Sequence, residues 1–436
     1  MNKNHKKSKM NDNQYLNRLF KDYYNKNRNN LPLIELFDQR EFGFIPWDKE
    51  IKMIRHIGFR NKNDLVKYLT DSGPRHVYSS GTLYSQPEIP DMGSKGYKGC
   101  DLIIDIDVDH FYTPCKEDHD YWQCMECGRT GSGMVKKCPK CKAFKIKTLA
   151  WICDECLNVA KEEIIKLVFN FLIPDFGIDA NKFRIAFSGH RGYHLKIGSE
   201  KMRPLTSGER REIADYVSGE NISFDILGLK ERGGNIFGFS KINIGWAQKI
   251  ISKIEEILSK PDIYIKQLLL DKNKFNLGKN LTESFLKSKD KFLSIIKDEN
   301  RNSWAIEGFG INTWNAFLTG IVHEIGVEID TPVTIDIHRL IRYPGSLHGK
   351  TGFKVQEILL NELTDFNPLD EVKEKLDPIV FESKVKTTQK LEILEQKVPM
   401  TQIKAEKYGP YSKGEVIEVP HHIAIFLLCK EVAKSI

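Results

Sequence analysis

Apolar and polar side chains alternate strictly in one segment of this 436-residue chain. In the run DLIIDIDVDH, which begins at Asp101, aspartates and aliphatic residues take turns. Because successive side chains of a strand point to opposite faces, the pattern predicts a strand over Leu102–Val108 with aliphatics on one face and carboxylates on the other. The carboxylates on that second face are Asp105, Asp107 and Asp109.

Other segments carry helix and hairpin patterns. A helix is predicted over Gln14–Lys26, and apolar residues at three- and four-residue spacing predict an amphipathic helix over Leu157–Leu172. Two short apolar runs, Phe183–Phe187 and Tyr193–Ile197, flank the turn Ser188–Gly192 and predict a β-hairpin. Helices mixed with short strands indicate an α/β (α+β) fold.

The patterning also suggests how the chain is divided. Strand-like sequence resumes at Val327–Ile337 and again at Phe353–Glu357, after a long stretch of helical patterns rich in Lys, Ile and Leu. A Lys/Glu/Gln-rich linker, Lys384–Lys397, precedes a closing element, Gly414–Ala433, that ends in an apolar helix. We expect a flexible basic start and first helix (1–30), two halves of an α/β core (31–203 and 300–383), a zinc-binding module (110–156), a helical subdomain inserted between the halves (204–299), and a linker with a C-terminal element (384–436).

Composition narrows the class of protein. The chain is 40% hydrophobic and 29% charged, which excludes a disordered polymer, and its net charge of +7 suits a polyanionic partner. No apolar run approaches the roughly 18–20 residues that span a bilayer, and no apolar stretch follows the basic start. These features predict an intracellular protein, cytoplasmic or, in a eukaryote, nuclear, without a membrane association.

Seven of the nine cysteines fall between Cys115 and Cys156, and six of them form Cys-x-x-Cys pairs. In an intracellular chain this arrangement favours zinc ligation over disulfides. Ten residues separate two of the pairs, a spacing typical of a zinc ribbon. The three pairs are Cys124/Cys127, Cys138/Cys141 and Cys153/Cys156.

A second group of charged residues follows Asp330. Carboxylates that lie close to cations suit a site where metal ions and a triphosphate meet, although solvated charges on an ordinary turn would give the same pattern. The run GSLHGKT from Gly345 is not a P-loop, because three rather than four residues separate its glycines. The group consists of Asp330, Asp336, Arg339, Arg342, His348 and Lys350.

The turn of the predicted hairpin is basic. Ser188, Arg191 and His194 could present a hydroxyl, a guanidinium and an imidazole to phosphate oxygens. Taken alone, the turn is equally compatible with an ordinary polar hairpin, and it gains meaning only beside the two carboxylate groups.

In this order, the Asp-x-Asp strand, the cysteine block, Ser-Gly-x-Arg-Gly-x-His and the Arg-x-Pro-x-Ser-Leu-His-Gly-Lys-Thr-Gly turn resemble the small catalytic subunit of archaeal and eukaryotic DNA primase. Arg40–Phe44, Arg75–Ser79 and Gly414–Pro420 resemble further segments of that family, so the resemblance runs from about residue 15 to the end. It implies a primase-polymerase core.

The resemblance implies three metal-binding aspartates, Asp105, Asp107 and Asp330, which would hold two Mg²⁺ or Mn²⁺ ions. Asp336 is the rival for the third position, and Asp109 is expected to be a neighbour. Nucleotide-contacting positions carry over to Ser188, Arg191, His194, Arg342, His348 and Lys350. One departure is His190, which stands where the family often has an arginine.

The family also carries one zinc knuckle, which matches Cys115, His119, Cys153 and Cys156, with His110 as a weaker competitor for His119. The extra residues Cys124, Cys127, Cys138 and Cys141 then suggest a second closed site. Eight ligands can be grouped in more than one way, so one or two structural zinc ions are expected.

The implied function is synthesis of short RNA primers de novo on single-stranded DNA from nucleoside triphosphates, in a heterodimer with a large primase subunit. Two alternatives stay open: a repair or bypass primase-polymerase that adds mainly deoxynucleotides, and a non-catalytic zinc-ribbon protein that binds nucleic acid.

Overall fold

The fold mixes helices and small antiparallel sheets. A computed structural model describes residues 11–48, 52–239, 244–298, 302–383 and 387–436, so the predicted flexible start (1–10) lies outside the described residues. The α-helices are α1 (Asp12–Lys26), α2 (Lys62–Ser72), α3 (Lys116–His119), α4 (Asp154–Lys166), α5 (Ser207–Ser218), α6 (Phe224–Leu227), α7 (Trp246–Leu258), α8 (Asp262–Leu270), α9 (Lys279–Lys287), α10 (Lys289–Lys297), α11 (Ile311–Ile325), α12 (Thr331–Ile335) and α13 (His421–Cys429).

The strands are short and form several separate sheets. They are β1 (Phe42–Ile45), β2 (Ile54–Ile57), β3 (His76–Ser80), β4 (Thr82–Tyr84), β5 (Tyr97–Cys100), β6 (Leu102–Asp107), β7 (Tyr121–Cys124), β8 (Thr130–Ser132), β9 (Ile146–Leu149), β10 (Phe183–Phe187), β11 (Gly192–Ile197), β12 (Lys230–Arg232), β13 (Asn235–Phe237), β14 (Leu340–Arg342), β15 (Gln356–Ile358), β16 (Thr388–Ile393), β17 (Lys397–Val398), β18 (Thr401–Ile403), β19 (Glu406–Tyr408), β20 (Tyr411–Ser412), β21 (Val416–Pro420) and β22 (Ala433–Ser435).

The chain divides into two compact units. The first comprises the described residues up to Ile173 together with Gly177–Arg211 and Ile329–Ile436, and the second comprises Pro174–Phe176 and Glu212–Glu328. The second unit is largely helical, and its main part runs from residue 212 to residue 328, whereas the helical subdomain was predicted over 204–299. No helix in the described ranges has the length and apolar character needed to cross a membrane.

Two four-stranded antiparallel sheets organise the first unit, in the orders β14-β3-β1-β2 and β15-β10-β11-β6. In the second of these sheets, β6 pairs with β11 so that Asp105 lies opposite His194 and Asp107 lies opposite Gly192. The other face of β6 carries Ile104 and Ile106, both fully buried, and α4 packs against β6 and β11. Burial of this apolar face fixes the register, because a slip by one residue would turn the carboxylates into the apolar core against α4.

Gly192 allows the two strands to meet where the carboxylates are. A Cβ atom at this position would lie 2.2 Å from the carbonyl oxygen of Ile106, a distance that no side chain tolerates. The hairpin of β10 and β11 and the strand β6 confirm the sequence predictions. The 3₁₀ turn Val108–His110 follows directly, so Asp109 lies outside the strand. The prediction that Asp109 shares the face of Asp105 and Asp107 is therefore wrong.

Two element predictions are wrong. The segment Val327–Ile337 is rich in β-branched residues, but Thr331–Ile335 within it form the short helix α12. Pro332 lies in the first helical turn, where its missing N–H costs nothing. The presumed linker Lys384–Lys397 contains strand β16, whose Leu391 and Ile393 are buried in a three-stranded sheet with β21 and β22. Residues 384–386 of that linker lie outside the described ranges.

The second unit has its own aromatic core. Trp304 and Trp314 are fully buried with ring centroids 5.0 Å apart, and Phe292 packs against both. Helix α7 buries Ile250, Ile251 and Ile254 and packs against α10 and α11.

Candidate active site

The carboxylate of Asp105 is paired within the sheet. Its Oδ1 lies 2.7 Å from Nδ1 of His194, the residue opposite it on β11. Burial favours the neutral acid, but the charge and hydrogen bond of His194 outweigh it and hold the pKa of Asp105 below its usual value. Nε2 of His194 is buried and has no hydrogen-bond partner among the described residues. That imidazole nitrogen is therefore available to a ligand.

Asp107 has the opposite electrostatics. Burial, followed by the charges of Asp109 and Asp105, raises the pKa of Asp107 to about 6. Its side chain accepts a hydrogen bond of 2.9 Å from the backbone N–H of Asp109. Carboxylates that repel one another in a buried position suit a divalent cation, which would relieve the repulsion.

Asp330 lies at the N-terminus of helix α12, next to strand β6. The N–H of Asp330 donates to the carbonyl oxygen of Asp105 at 2.8 Å, and the residue caps the N-terminus of α12. Its carboxylate lies 3.4 Å from Nε2 of His110. Asp336, the rival, instead accepts from the N–H of His338 in its own turn at 2.8 Å. The backbone therefore ties Asp330, rather than Asp336, to strand β6.

The three aspartates are neighbours, but their ligand atoms do not converge. Throughout the described residues, only two groups bring three or more potential ligand atoms within 4.8 Å of one another, and both are cysteine groups. The aspartates nevertheless meet the chemical requirement of Mg²⁺ or Mn²⁺, which prefer oxygen ligands.

Arg191, which the sequence placed among the phosphate-contacting cations, is completely buried. Its Nη1 donates to both oxygens of Asp120, at 2.8 and 2.7 Å, and to the carbonyl oxygen of Trp151. Its Nη2 bonds the carboxylate of Asp109. In this arrangement the guanidinium ties the basic turn to the end of β6 and does not face a ligand.

Three imidazoles pack in a column beside the basic turn. His348 stacks on His190 with ring centroids 5.2 Å apart and contacts the edge of His76 at 4.9 Å. Burial, and then neighbouring cations, lower the pKa of all three well below the usual value, so they are neutral near pH 7. Lys430 approaches Nε2 of His190 at 2.8 Å, and burial lowers the pKa of Lys430 to about 7.

Gly189 allows the basic turn to touch the turn that carries His348. Its φ is +83°, and a Cβ atom there would lie 2.7 Å from Cβ of His348. Thr351 donates to the carbonyl oxygen of Gly189 at 2.6 Å, and Ser188 accepts from the N–H of His190 at 3.3 Å. The structure thus brings together two motifs that are far apart in the sequence.

Arg342 and Lys350 are the accessible cations of the set. Nη1 of Arg342 lies 2.8 Å from Nδ1 of His76, and its guanidinium covers the ring of Tyr78. Lys350 is exposed, and no carboxylate of the described chain pairs with it. Arg342 and His194 both line a cleft of about 2100 Å³ within the first unit.

Cys115, His119, Cys153 and Cys156 form the first ligand group. Sγ of Cys115 lies 3.3 Å from Sγ of Cys156, and Nε2 of His119 lies 3.2 Å from Sγ of Cys153. Tetrahedral zinc with bonds of about 2.0–2.3 Å holds its ligands about 3.3–3.8 Å apart, which these distances match. Nδ1 of His119 bonds Asp120 at 2.8 Å, the carboxylate–histidine arrangement typical of zinc ligands. His110 is engaged with Asp330 instead.

The second group consists of Cys124, Cys127, Cys138 and Cys141, on and around the three-stranded sheet β8-β7-β9. Sγ–Sγ distances are 3.5 Å for Cys124 and Cys141 and 3.7 Å for Cys127 and Cys138. Two groups that could each bind zinc are therefore present, with the partition that was expected.

Sequence reasoning missed several residues of the site. Asp120 and Lys430 carried no motif, and their roles arise from tertiary contacts. His76 lies within the Arg75–Ser79 segment that carried the family resemblance, so a signal for it existed.

Replacing Asp107 with Asn should stabilise the protein at pH 7 without added Mg²⁺ or Mn²⁺. Because the pKa of Asp107 is higher in the folded protein than in the unfolded chain, ionising Asp107 lowers the stability of the fold. Below about pH 4 the carboxyl is protonated in both states and costs no stability, and the penalty appears as the pH rises through about 6. The gain at pH 7 is at most about 3 kcal/mol and should disappear near pH 4. Thermal unfolding at the two pH values measures it, and equal gains at both would contradict the electrostatic explanation.

Comparisons with known proteins agree with this geometry. The sequence model of the DNA primase small subunit family matches residues 148–359. The DNA primase small subunit PriS of Methanothrix thermoacetophila is 32% identical over 96% of this chain and 98% of its own length. PriS of Thermoplasma volcanium is 32% identical over 94% of both chains, and PriS of Archaeoglobus fulgidus is 30% identical over 95% of this chain and 96% of its own. The chain therefore belongs to the DNA primase small subunit family.

Proposed function

We propose that this chain is the catalytic subunit of a DNA primase and synthesises short RNA primers de novo on a single-stranded DNA template. The observation that supports the proposal is the backbone hydrogen bond from Asp330 to Asp105, because it makes Asp330 a neighbour of the strand that carries Asp105 and Asp107. The membership of the family and the adjoining cleft lined by His194 and Arg342 support it.

The reaction joins two nucleotides. The 3′-hydroxyl of one attacks the α-phosphate of the next, the new P–O bond forms, and pyrophosphate leaves with the electrons of the bond that breaks. Two divalent cations, when bound, lower the pKa of the attacking hydroxyl and offset charge on the leaving group. Asp105, Asp107 and Asp330 would hold these ions.

His194 holds Asp105 in its ionised form, while its Nε2 is free to bond a phosphate oxygen in the cleft. Arg342 and Lys350 would bind the β- and γ-phosphates as charge-assisted donors. Ser188 lies in the basic turn and His348 in the turn that carries Lys350, and both would support the phosphate-binding groups. We assign Arg191 a positioning role, which it performs through its bond to Asp109.

This chemistry requires nucleoside triphosphates but does not distinguish the two sugars. Ribonucleoside triphosphates are the proposed substrates, and a primase-polymerase that adds mainly deoxynucleotides would use the same carboxylates. The partners are the template, the growing RNA primer and a large primase subunit in a heterodimer. We further propose that the second unit is inserted between two halves of the primase-polymerase core and that both cysteine groups hold structural zinc.

Primer synthesis on single-stranded DNA tests the function directly. The purified protein, with a large subunit where one is required, should extend ribonucleotides into short RNA when Mg²⁺ or Mn²⁺ is present. Products made only from deoxynucleotides would favour the bypass polymerase, and no product from either substrate would favour a non-catalytic binding protein.

Asp105→Asn, Asp107→Asn and Asp330→Asn should each lower primer synthesis by at least about 100-fold, because each removes one charge from the metal-binding carboxylates at little cost in shape. Asp336→Asn is the matched control and should retain activity within a few-fold. An inactive Asp336 variant beside an active Asp330 variant would show that the third carboxylate is Asp336.

Lys350→Ala and Arg342→Ala should raise KM for the nucleotide by about 10-fold or more, since a charge-assisted hydrogen bond contributes about 1.5–3 kcal/mol. Lys413→Ala removes an equally exposed lysine and serves as the control. Steady-state kinetics at saturating template measures the effect. A loss confined to template affinity would place both residues on a DNA-binding surface instead.

Metal analysis of the wild-type protein should find two zinc ions per chain. The double change Cys138→Ser/Cys141→Ser should remove one ion and leave the other, with the damage confined to residues 120–145. Cys153→Ser/Cys156→Ser should harm folding more, because Cys153 caps helix α4 next to the catalytic strand. A single zinc in fully loaded protein would overturn the two-site assignment.

A further inference from the structure

The segment around the second cysteine group, Tyr121–Ala150, has an unusual charge. It contains seven Lys and Arg residues and one acidic residue, Glu126. All seven cations are exposed. They are Arg129, Lys136, Lys137, Lys140, Lys142, Lys145 and Lys147. We call this segment the basic ribbon.

Most of these charges have no partner in the protein. Lys147 pairs with Glu395 at 2.7 Å, and Lys142 donates to the carbonyl oxygen of Pro139. For the other five, no carboxylate among the described residues lies within ion-pairing distance. Unpaired cations concentrated on one small module attract a polyanion, and each phosphate they contact releases counterions.

The basic ribbon also exposes apolar side chains. Phe144 is 79% exposed, more than any other described Phe, Tyr or Trp, and Met125 is 53% exposed. The N–H of Met125 donates to the carbonyl oxygen of Lys145 at 2.9 Å, so Met125 lies beside the segment that carries Phe144. An aromatic ring among unpaired cations is the combination that binds single-stranded nucleic acid, because bases stack on the ring while the cations follow the backbone.

The ribbon is rigid enough to present these groups. Trp122, Cys124 and Cys138 form a small buried core with Val135, Ala143 and Ile146 packed against it. A Cβ atom at Gly131 would lie 2.7 Å from the ring of Trp122, so β7 and β8 meet closely. The exposed cations and ring are therefore held by a packed module.

We propose that the basic ribbon is a second binding site, separate from the carboxylates, that takes single-stranded DNA by stacking a base on Phe144 and pairing phosphates with the surrounding lysines. The proposal rests on the proposed function only in identifying this strand as the primase template.

Fluorescence anisotropy with labelled oligothymidylate tests the site on the full-length protein. Phe144→Ala should weaken binding by about 5- to 100-fold at all salt concentrations, the effect expected for one lost stacking contact. Phe144→Trp should bind as well as the wild type. Phe144→Leu keeps an apolar side chain without a π face and should behave like Phe144→Ala.

The charge is tested separately with the triple variant Lys136→Gln/Lys140→Gln/Lys145→Gln. The slope of log affinity against log salt should fall by about 2, because each lost phosphate contact on a single strand removes about 0.7. The matched control, Lys266→Gln/Lys287→Gln/Lys291→Gln, removes three exposed charges from the second unit and should change the slope less. Equal effects of the two triple variants would overturn the proposal.

Two further outcomes separate this site from the others. Nucleotide binding and zinc content should be unchanged in the ribbon variants. Wild-type protein that makes primers, with ribbon variants that bind the oligonucleotide normally, would refute the ribbon alone, whereas oligonucleotide binding without any synthesis would refute the proposed function alone. A Phe144→Ala variant that loses only the large subunit would show that the surface binds protein.

Discussion

The buried carboxylate of Asp120 is the contact on which the arrangement of the site depends. It accepts hydrogen bonds from Nδ1 of His119, from the backbone N–H of Trp151 and from Arg191, whose other amino group bonds Asp109. Asp120 and Arg191 are both removed from water, and a buried ion pair that loses one partner costs about 3–5 kcal/mol. A single carboxylate therefore links a zinc ligand, the basic turn and the end of the catalytic strand.

The two cysteine groups differ in how they are connected to the rest of the fold. In the first group, the carboxylate of Asp120 bonds His119 and also holds Arg191, so the geometry of this candidate zinc site and the position of the end of β6 depend on each other. In the second group, the sulfur contacts come from the four cysteines and from backbone N–H groups of the same module, which has its own small core. The second module could therefore bind single-stranded DNA, as proposed, without disturbing the site. The first group instead helps to hold the residues of the site in place.

The sequence predicted what depends on local patterns. Alternation located the strand of Asp105 and Asp107, the cysteine spacing located the second ligand group, and the family resemblance supplied the first. It failed where tertiary contacts decide: the β-branched segment Val327–Ile337 suggested a strand, but Thr331–Ile335 within it form a helix. Arg191, expected to contact phosphate, is instead buried against Asp120, which lies far away in the chain. Nothing local in the sequence says that a guanidinium will be buried. The family resemblance supplied the third carboxylate, which geometry alone would have found only through its backbone bond to Asp105.

The site contains one group of carboxylates and one group of cations. A metal-bound triphosphate carries the charges that would neutralise both groups. On one side, burial and then the neighbouring carboxylates raise the pKa of Asp107 and so disfavour its ionised form. On the other side, burial among cations lowers the pKa of His348 and holds its imidazole neutral beside Arg342 and Lys350. Under the proposed function, divalent cations would relieve the repulsion among the carboxylates, and phosphate oxygens would neutralise the cations beside His348. Both effects would then contribute to the affinity for a metal-bound triphosphate.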